Sequence, residues 1–322
     1  MSRTHRAFVT GATGQDGSYL VERLLADGVE VHALVHRGAE PQGDVPTGVI
    51  EHKGSLADFD RLASIVTSIE PDSVFNLAGI SSVATSWERP LDTVEVSGTA
   101  VVALLEACRS VSDRGREVRF VQASSSEIFG AAEHSPQTES TPIRPVSPYG
   151  AAKALAHHAV SVYRGRGVFC SAAILYNHES PRRPETFVTR KITRGVARIA
   201  AGLETTISLG NLDARRDWGW APDYVDAMIR ISRAETPGDF VIATGETHSV
   251  REFVGAAFSA AGIDDWEDRV IVDPSFLRPA DVHEMRGDPA KAHTELGWAP
   301  TVRFTEIVAS MVRNDLTLLG IG

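Results

Sequence analysis

Thr10-Gly11-Ala12-Thr13-Gly14-Gln15-Asp16-Gly17 is the stretch that decides the fold. It follows an apolar run at residues 7–10 and opens a helical pattern at 17–27, so its glycines stand at a strand-to-helix turn. Glycine there permits the tight turn and lets the backbone approach a pyrophosphate seated on the helix N-terminus, which makes a dinucleotide the expected ligand. Outward from this turn, short runs rich in Val, Ile, Ala and Phe alternate with helical patterns. Strands are expected at 7–10, 29–35, 73–78, 118–123 and 168–174, and helices at 17–27, 58–69, 91–110 and 149–164. That alternation is the layout of an α/β chain with a Rossmann doubly wound parallel sheet, covered by helices on both faces. After Tyr176 the pattern loosens into helices at 185–201, 222–234, 250–261 and 304–319 with short strands such as 239–243. The division expected is a dinucleotide-binding domain over 1–176 and a smaller, partly interleaved C-terminal substrate lobe over 177–322. A strand near 239–245 is expected to rejoin the main sheet.

With 322 residues and 43% hydrophobic content the chain can bury a large core. No apolar run reaches the roughly 18 residues that span a bilayer, and the polar start runs straight into a strand pattern. No membrane association and a cytoplasmic location are therefore expected. A formal net charge of -10 argues against nucleic-acid binding, which needs a basic face, and favours small anionic ligands held in a local cationic cleft. Cys108 falls in a helical pattern and Cys170 in an apolar strand pattern, which reads as two buried free thiols; no metal site is expected.

Three further stretches carry chemistry. At the end of the second strand an NAD enzyme usually places an acidic residue for the ribose hydroxyls; here stand His36 and Arg37. Arg37 would pair with a 2′-phosphate, so NADP is expected over NAD. Tyr149 and Lys153 are four residues apart on one helix and share a face. A free tyrosine titrates near pH ~10, so a tyrosine base working at neutral pH needs a cation beside it, and Lys153 supplies one. Ser124-Ser125-Ser126-Glu127 ends a strand at its carboxyl end, where open parallel sheets place reactive groups. Finally, residues 177–193 are dense in polar side chains. Pro181 and Pro184 delay the helix until about Glu185, leaving Arg182 and Arg183 on a loop that leads into a helix N-terminus, a pairing suited to a pyrophosphate.

The run from Asn177 to Thr193 closely resembles the substrate-binding segment of GDP-mannose 4,6-dehydratases, with Pro184 where that family has glycine. The Gly-x-x-Gly-x-x-Gly spacing of Gly11, Gly14 and Gly17 resembles extended short-chain dehydrogenases. The likeness extends over 124–130, 147–153, Arg216-Asp217-Trp218-Gly219, 239–245 and Arg278-Pro279-Ala280. It implies Ser125, Glu127, Tyr149 and Lys153 as catalytic residues. It implies Gly11, Thr13, Gly14, Gln15, Asp16, Gly17, Arg37, Ser55, Leu56, Ala78, Tyr149, Lys153, Asn177 and His178 as the NADP site. For the sugar nucleotide, GDP-mannose, it implies Ser82, Ser86, Asn177, Glu179, Arg183, Val188, Lys191, Arg216, Arg278 and Asp281. Trp218 is read as packing. Assembly as a homodimer or homotetramer is implied too.

The chain departs from the family at several points. Ser125 stands where the family has threonine, keeping the hydroxyl and losing a methyl. Ser55 replaces an aspartate, the loop after Arg37 lacks the usual Arg-Arg-Ser-Ser, and His283 replaces an acid, leaving Asp281 as the ribose contact. Ile80 and Ser82, where the family often has Gln and His, resemble related sugar-nucleotide reductases. Glu127 separates the readings: a reductase or epimerase acting on another nucleotide sugar needs the Tyr149/Lys153 pair but no carboxylate base for C-5. A non-catalytic NADP sensor would need neither.

Overall fold

The computed structural model describes residues 4–36, 45–276 and 282–321. The first half of the chain runs β1 (Arg6–Thr10), α1 (Gln15–Ala26), β2 (Glu30–His36), β3 (Ile50–Gly54), α2 (Phe59–Ile69), β4 (Ser73–Asn76), α3 (Val83–Glu88), α4 (Pro90–Val94), α5 (Ala100–Ser112), β5 (Arg119–Ser125), α6 (Pro148–Arg164) and β6 (Cys170–Leu175). The second half continues with β7 (Asn177–Glu179), α7 (Val188–Ala200), β8 (Ile207–Leu209), β9 (Arg215–Arg216), β10 (Trp218–Trp220), α8 (Ala221–Arg233) and β11 (Asp239–Ile242). After it come β12 (His248–Ser249), α9 (Val250–Ala260), β13 (Val270–Val272), β14 (Glu284–Met285), α10 (Ala290–Leu296) and α11 (Phe304–Leu318).

Seven of these strands form one parallel sheet in the order β11-β6-β5-β4-β1-β2-β3. Strand alternation assigns its two faces. Ala7 and Val9 pack with Leu20 of α1 and Met228 of α8, whereas Phe8 packs with Leu62 of α2 and Leu104 of α5. The chain moves one way from β1 to β2 and the other way to β4, so a crevice opens at the carboxyl ends of β1 and β4. A third apolar cluster joins Ile192 and Val196 of α7, Phe253 of α9, and Ile307 and Met311 of α11, giving the C-terminal part its own core. β11 pairs with β6 of the main sheet, so the two parts share a strand. Among the described residues no helix is long and apolar enough to cross a membrane. Cys108 and Cys170 are free and buried.

The differences from the sequence reading include an edge strand and two helices. β3 has no apolar run because it is the sheet edge, where Ile50 is half exposed and Glu51, His52 and Lys53 serve as charged or polar edge residues. The helix expected at 91–110 is α4 and α5 joined by a π-helical turn at Glu95–Thr99. The wider turn places Ser97 so that its hydroxyl accepts the Ile80 N–H at 3.1 Å, holding the loop after β4. The helix expected from 185 begins at Val188, because Pro184 to Phe187 form a turn in which the Phe187 N–H donates to the Pro184 carbonyl.

Candidate functional site

The turn between β1 and α1 is shaped for close backbone approach. Gly11 has φ +74°, and a Cβ there would lie 2.9 Å from the Ala78 nitrogen; one on Gly17 would lie 1.9 Å from the Gly11 carbonyl oxygen. Gly14 starts α1 without any side chain capping the helix, so the first-turn N–H groups are available to an anion. These features fit the pyrophosphate of a dinucleotide. Ala78 is fixed beside the turn by its N–H, which donates to the Thr10 hydroxyl at 3.1 Å.

α1 is fastened to the segment after β6. Gln15 Nε2 donates to the His178 carbonyl at 3.0 Å, and the Ser180 hydroxyl donates to Gln15 Oε1 at 2.8 Å. His178 Nε2 meets Asp16 Oδ2 at 2.8 Å while Nδ1 faces the Tyr176 carbonyl. Burial opposes charge on both side chains, but their mutual attraction outweighs it, lowering Asp16 below its ordinary 3.8 and raising His178 above its ordinary 6.5. For His178, raised in the fold, the contribution to stability is complete below about pH 6.5 and lost as pH rises through the raised value. For Asp16, lowered in the fold, it is complete above about pH 3.8 and lost as pH falls through the depressed value. The pair is therefore fully effective between those limits. Asp16→Asn is expected to cost on the order of 2 kcal/mol at pH 6 and progressively less at alkaline pH, measured by chemical denaturation. A cost that does not change with pH would show that the pair is not ionic.

The catalytic candidates line one cleft. Ser125 ends β5, Glu127 lies in the 3₁₀ turn that follows, and Tyr149 and Lys153 project from α6, which Ser147 caps by accepting the Gly150 N–H at 3.0 Å. The Ser125 hydroxyl accepts the Glu127 N–H at 3.2 Å and lies within hydrogen-bonding reach of Tyr149. Burial pushes the Tyr149 phenol up to about 12, opposed by Ser125. Burial pulls the Lys153 ammonium down to about 8, opposed by Asp16. Lys153 Nζ donates to the Ala123 carbonyl at 2.9 Å and sits 5.8 Å from the centre of the Tyr149 ring.

Across the cleft the 177–193 segment supplies polar groups. Glu179 is wholly buried; burial raises its carboxyl despite Arg183 Nε at 3.3 Å and the Thr189 hydroxyl at 2.6 Å. The Arg183 guanidinium lies 3.7 Å over the Phe187 ring and faces the cleft, as do Asn177, Val188 and Lys191. α7 also begins without a side-chain cap, with Thr186 to Thr189 lining the cleft. Arg182 departs from its expected role beside Arg183: it turns to α1, where it bonds Ser18 and Glu22 and lies over Tyr19. Arg216 lines the cleft, held by the carbonyls of Arg215 and Val282, while its neighbour Asp217 accepts the N–H groups of Thr244 and Gly245. Trp218 packs against Phe253 and Phe304.

Other candidates sit elsewhere. Ser82 lines the cleft and caps α3, accepting the Thr85 N–H at 3.2 Å. Ser86 is fully buried with its hydroxyl donated to the Val83 carbonyl at 2.6 Å, and it does not line the cleft. Leu56 belongs to the core beneath β3, and the Ser55 hydroxyl accepts the Ala57 N–H. His36 ends β2 and is exposed; Arg37, Arg278 and Asp281 lie outside the described residues. Phe187, Asn211 and Phe276 line the cleft without having been singled out. Phe276, 3.5 Å from Lys191 Nζ, carries no signal in its surrounding sequence.

The family described as GDP-mannose 4,6 dehydratase matches residues 8–311. GDP-mannose 4,6 dehydratase 1 of Arabidopsis thaliana is 45% identical over 326 residues, covering 97% of this chain and 90% of the plant protein. Among solved structures, the UDP-glucose 4-epimerase of Thermus thermophilus in complex with NAD superposes with a TM-score of 0.83 at 30% identity, covering 96% of this chain and 98% of that one. RMD from Pseudomonas aeruginosa complexed with NADPH gives 0.80 at 25% identity, covering 98% of each chain.

Proposed function

This chain belongs to the GDP-mannose 4,6-dehydratase family, a group of nucleotide-sugar hydro-lyases that work with a nicotinamide cofactor, and from that premise we propose how its residues divide the reaction. It converts GDP-D-mannose to GDP-4-keto-6-deoxy-D-mannose and water. The observation that carries the reading is that Glu127 lines the same cleft as Tyr149, Lys153 and Ser125, together with Arg183 and the uncapped N-terminus of α7. When bound, the cofactor would supply the hydride acceptor for C-4 and the hydride donor for C-6. We assign NADP to that role, with residues 1–176 holding it through Gly11, Thr13, Gly14 and Gln15 and with Arg37 pairing with the 2′-phosphate.

Tyr149 takes the C-4 hydroxyl proton, and the Ser125 hydroxyl steadies the oxygen. A phenol at about 12 is a poor base at neutral pH, so Lys153, still largely charged below about 8, must stay beside it. Once C-4 is a ketone, the C-5 proton is acidic. Glu127 removes it and passes it to the C-6 oxygen, which leaves as water. Tyr149 then returns its proton to C-5, so the enzyme ends each cycle in its starting state. Residues 177–322 hold the sugar nucleotide, with Arg183 and Arg216 on the pyrophosphate.

We assign the protein to the cytoplasm and to a homodimer. Trp87, Leu91, Val94, Leu155 and Val162 are exposed apolar side chains on α3, α4 and α6, which pack together. Sedimentation should give twice the chain mass of 34.7 kDa. The functional test is product mass after incubation with GDP-mannose, GDP-glucose, UDP-glucose or dTDP-glucose and catalytic NADP or NAD. Loss of one water from GDP-mannose, fastest with NADP, is expected. An unchanged mass in every tube would favour a reductase, an epimerase or a sensor.

A further inference from the structure

Thr10, Asn76 and Gln122 are register partners on the adjacent central strands β1, β4 and β5, and each is almost completely buried. The preceding rung, Val9, Phe75 and Val121, is apolar. Three polar side chains in the middle of a sheet are costly unless every donor and acceptor is used. Here each is. The Thr10 hydroxyl accepts the N–H groups of Leu77 and Ala78 at 3.1 Å, so its proton goes to Asn76 Oδ1 at 2.7 Å. Asn76 Nδ2 donates to Gln122 Oε1 at 2.8 Å, which turns Gln122 Nε2 toward the Ala123 carbonyl at 2.9 Å. Lys153 Nζ donates to that same carbonyl, also at 2.9 Å. Each amide is oriented by the one before it, and the series begins beside the Gly11 turn and ends at the lysine ammonium.

We propose that Gln122 is a positioning residue for Lys153: it fixes the Ala123 carbonyl and shares its lone pairs, setting where the ammonium stands beside Tyr149. The Thr10–Asn76–Gln122 rung ties that setting to the dinucleotide turn. This rests on the reading of Lys153 as catalytic. The charged and titratable groups around the lysine are Asp16 from α1, Tyr149 and His157 one turn before and after it on α6, and Glu127 and Arg183, which act on Tyr149.

The test uses two variants. Gln122→Met removes the donor at similar volume; Gln122→Glu keeps the acceptor for Asn76 while placing a carboxylate near the ammonium. The chain has four lysines, Lys53, Lys153, Lys191 and Lys291, so ¹³Cε-lysine NMR can follow Lys153 alone. In wild type it should titrate at about 8. With the carbonyl no longer shared, the midpoint should rise in both variants, by about one unit in Gln122→Glu. kcat should fall roughly tenfold to a hundredfold with KM little changed, the profile of a displaced acid-base group. A merely structural rung would lower the thermal midpoint and leave the lysine titration in place, and that result would overturn the proposal. Inactive wild-type protein would contradict the dehydratase reading, while the NMR titration would still decide the role of Gln122.

Discussion

Tyr149→Phe is expected to lower kcat by roughly 10²–10⁴-fold, the range that a positioned acid-base group contributes, while binding of the nicotinamide cofactor changes little. The ring is almost fully buried between α6 and the cleft, and phenylalanine keeps its packing, so the loss is confined to the hydroxyl. That hydroxyl interacts with Ser125, and its ring centre lies 5.8 Å from the Lys153 ammonium. In energy terms the loss is about 3–5 kcal/mol of transition-state stabilisation. Product formation under saturating GDP-mannose measures it, with cofactor titration as the control. Turnover within tenfold of wild type would mean that another group is the base.

Glu127→Gln should separate the two halves of the reaction. C-4 oxidation needs Tyr149, Lys153 and Ser125, all intact in this variant, so reduced nicotinamide should accumulate on the enzyme in a single turnover. Dehydration needs a carboxylate that first takes the C-5 proton and then gives it to the C-6 oxygen, and an amide can do neither at neutral pH. Water loss should fall by at least about a hundredfold while near-ultraviolet absorbance reports the trapped reduced cofactor. A variant that still releases water at the wild-type rate would remove Glu127 from the mechanism. One that neither oxidises nor dehydrates would place it at the first step.

Much of this arrangement is legible from local chemistry. The glycines at 11 and 17 mark the first turn because backbone must pass where a Cβ does not fit. Tyr149 and Lys153 are visible through helical spacing, and Ser125 and Glu127 through their place at a strand end. Edge strand β3 is not legible, because an edge keeps polar residues where a central strand keeps Val and Ile. The π-turn at Glu95–Thr99 carries the Ser97 hydroxyl to a contact with a residue seventeen positions earlier, Ile80, which no local pattern records. Arg182 shows the same limit. Adjacent arginines look equivalent in sequence, yet Tyr19, Ser18 and Glu22 draw one guanidinium to α1 while Phe187 and Glu179 keep the other at the cleft. The Ser86 hydroxyl, likewise, is spent on its own helix.

The most direct test of the central claim is the fate of deuterium placed at C-4 of GDP-mannose. If one enzyme-bound cofactor takes the hydride and returns it within the same cycle, the product carries that deuterium at C-6 and none appears in free nucleotide. Deuterium washed into solvent, or recovered in a pool of released reduced cofactor, would contradict the account.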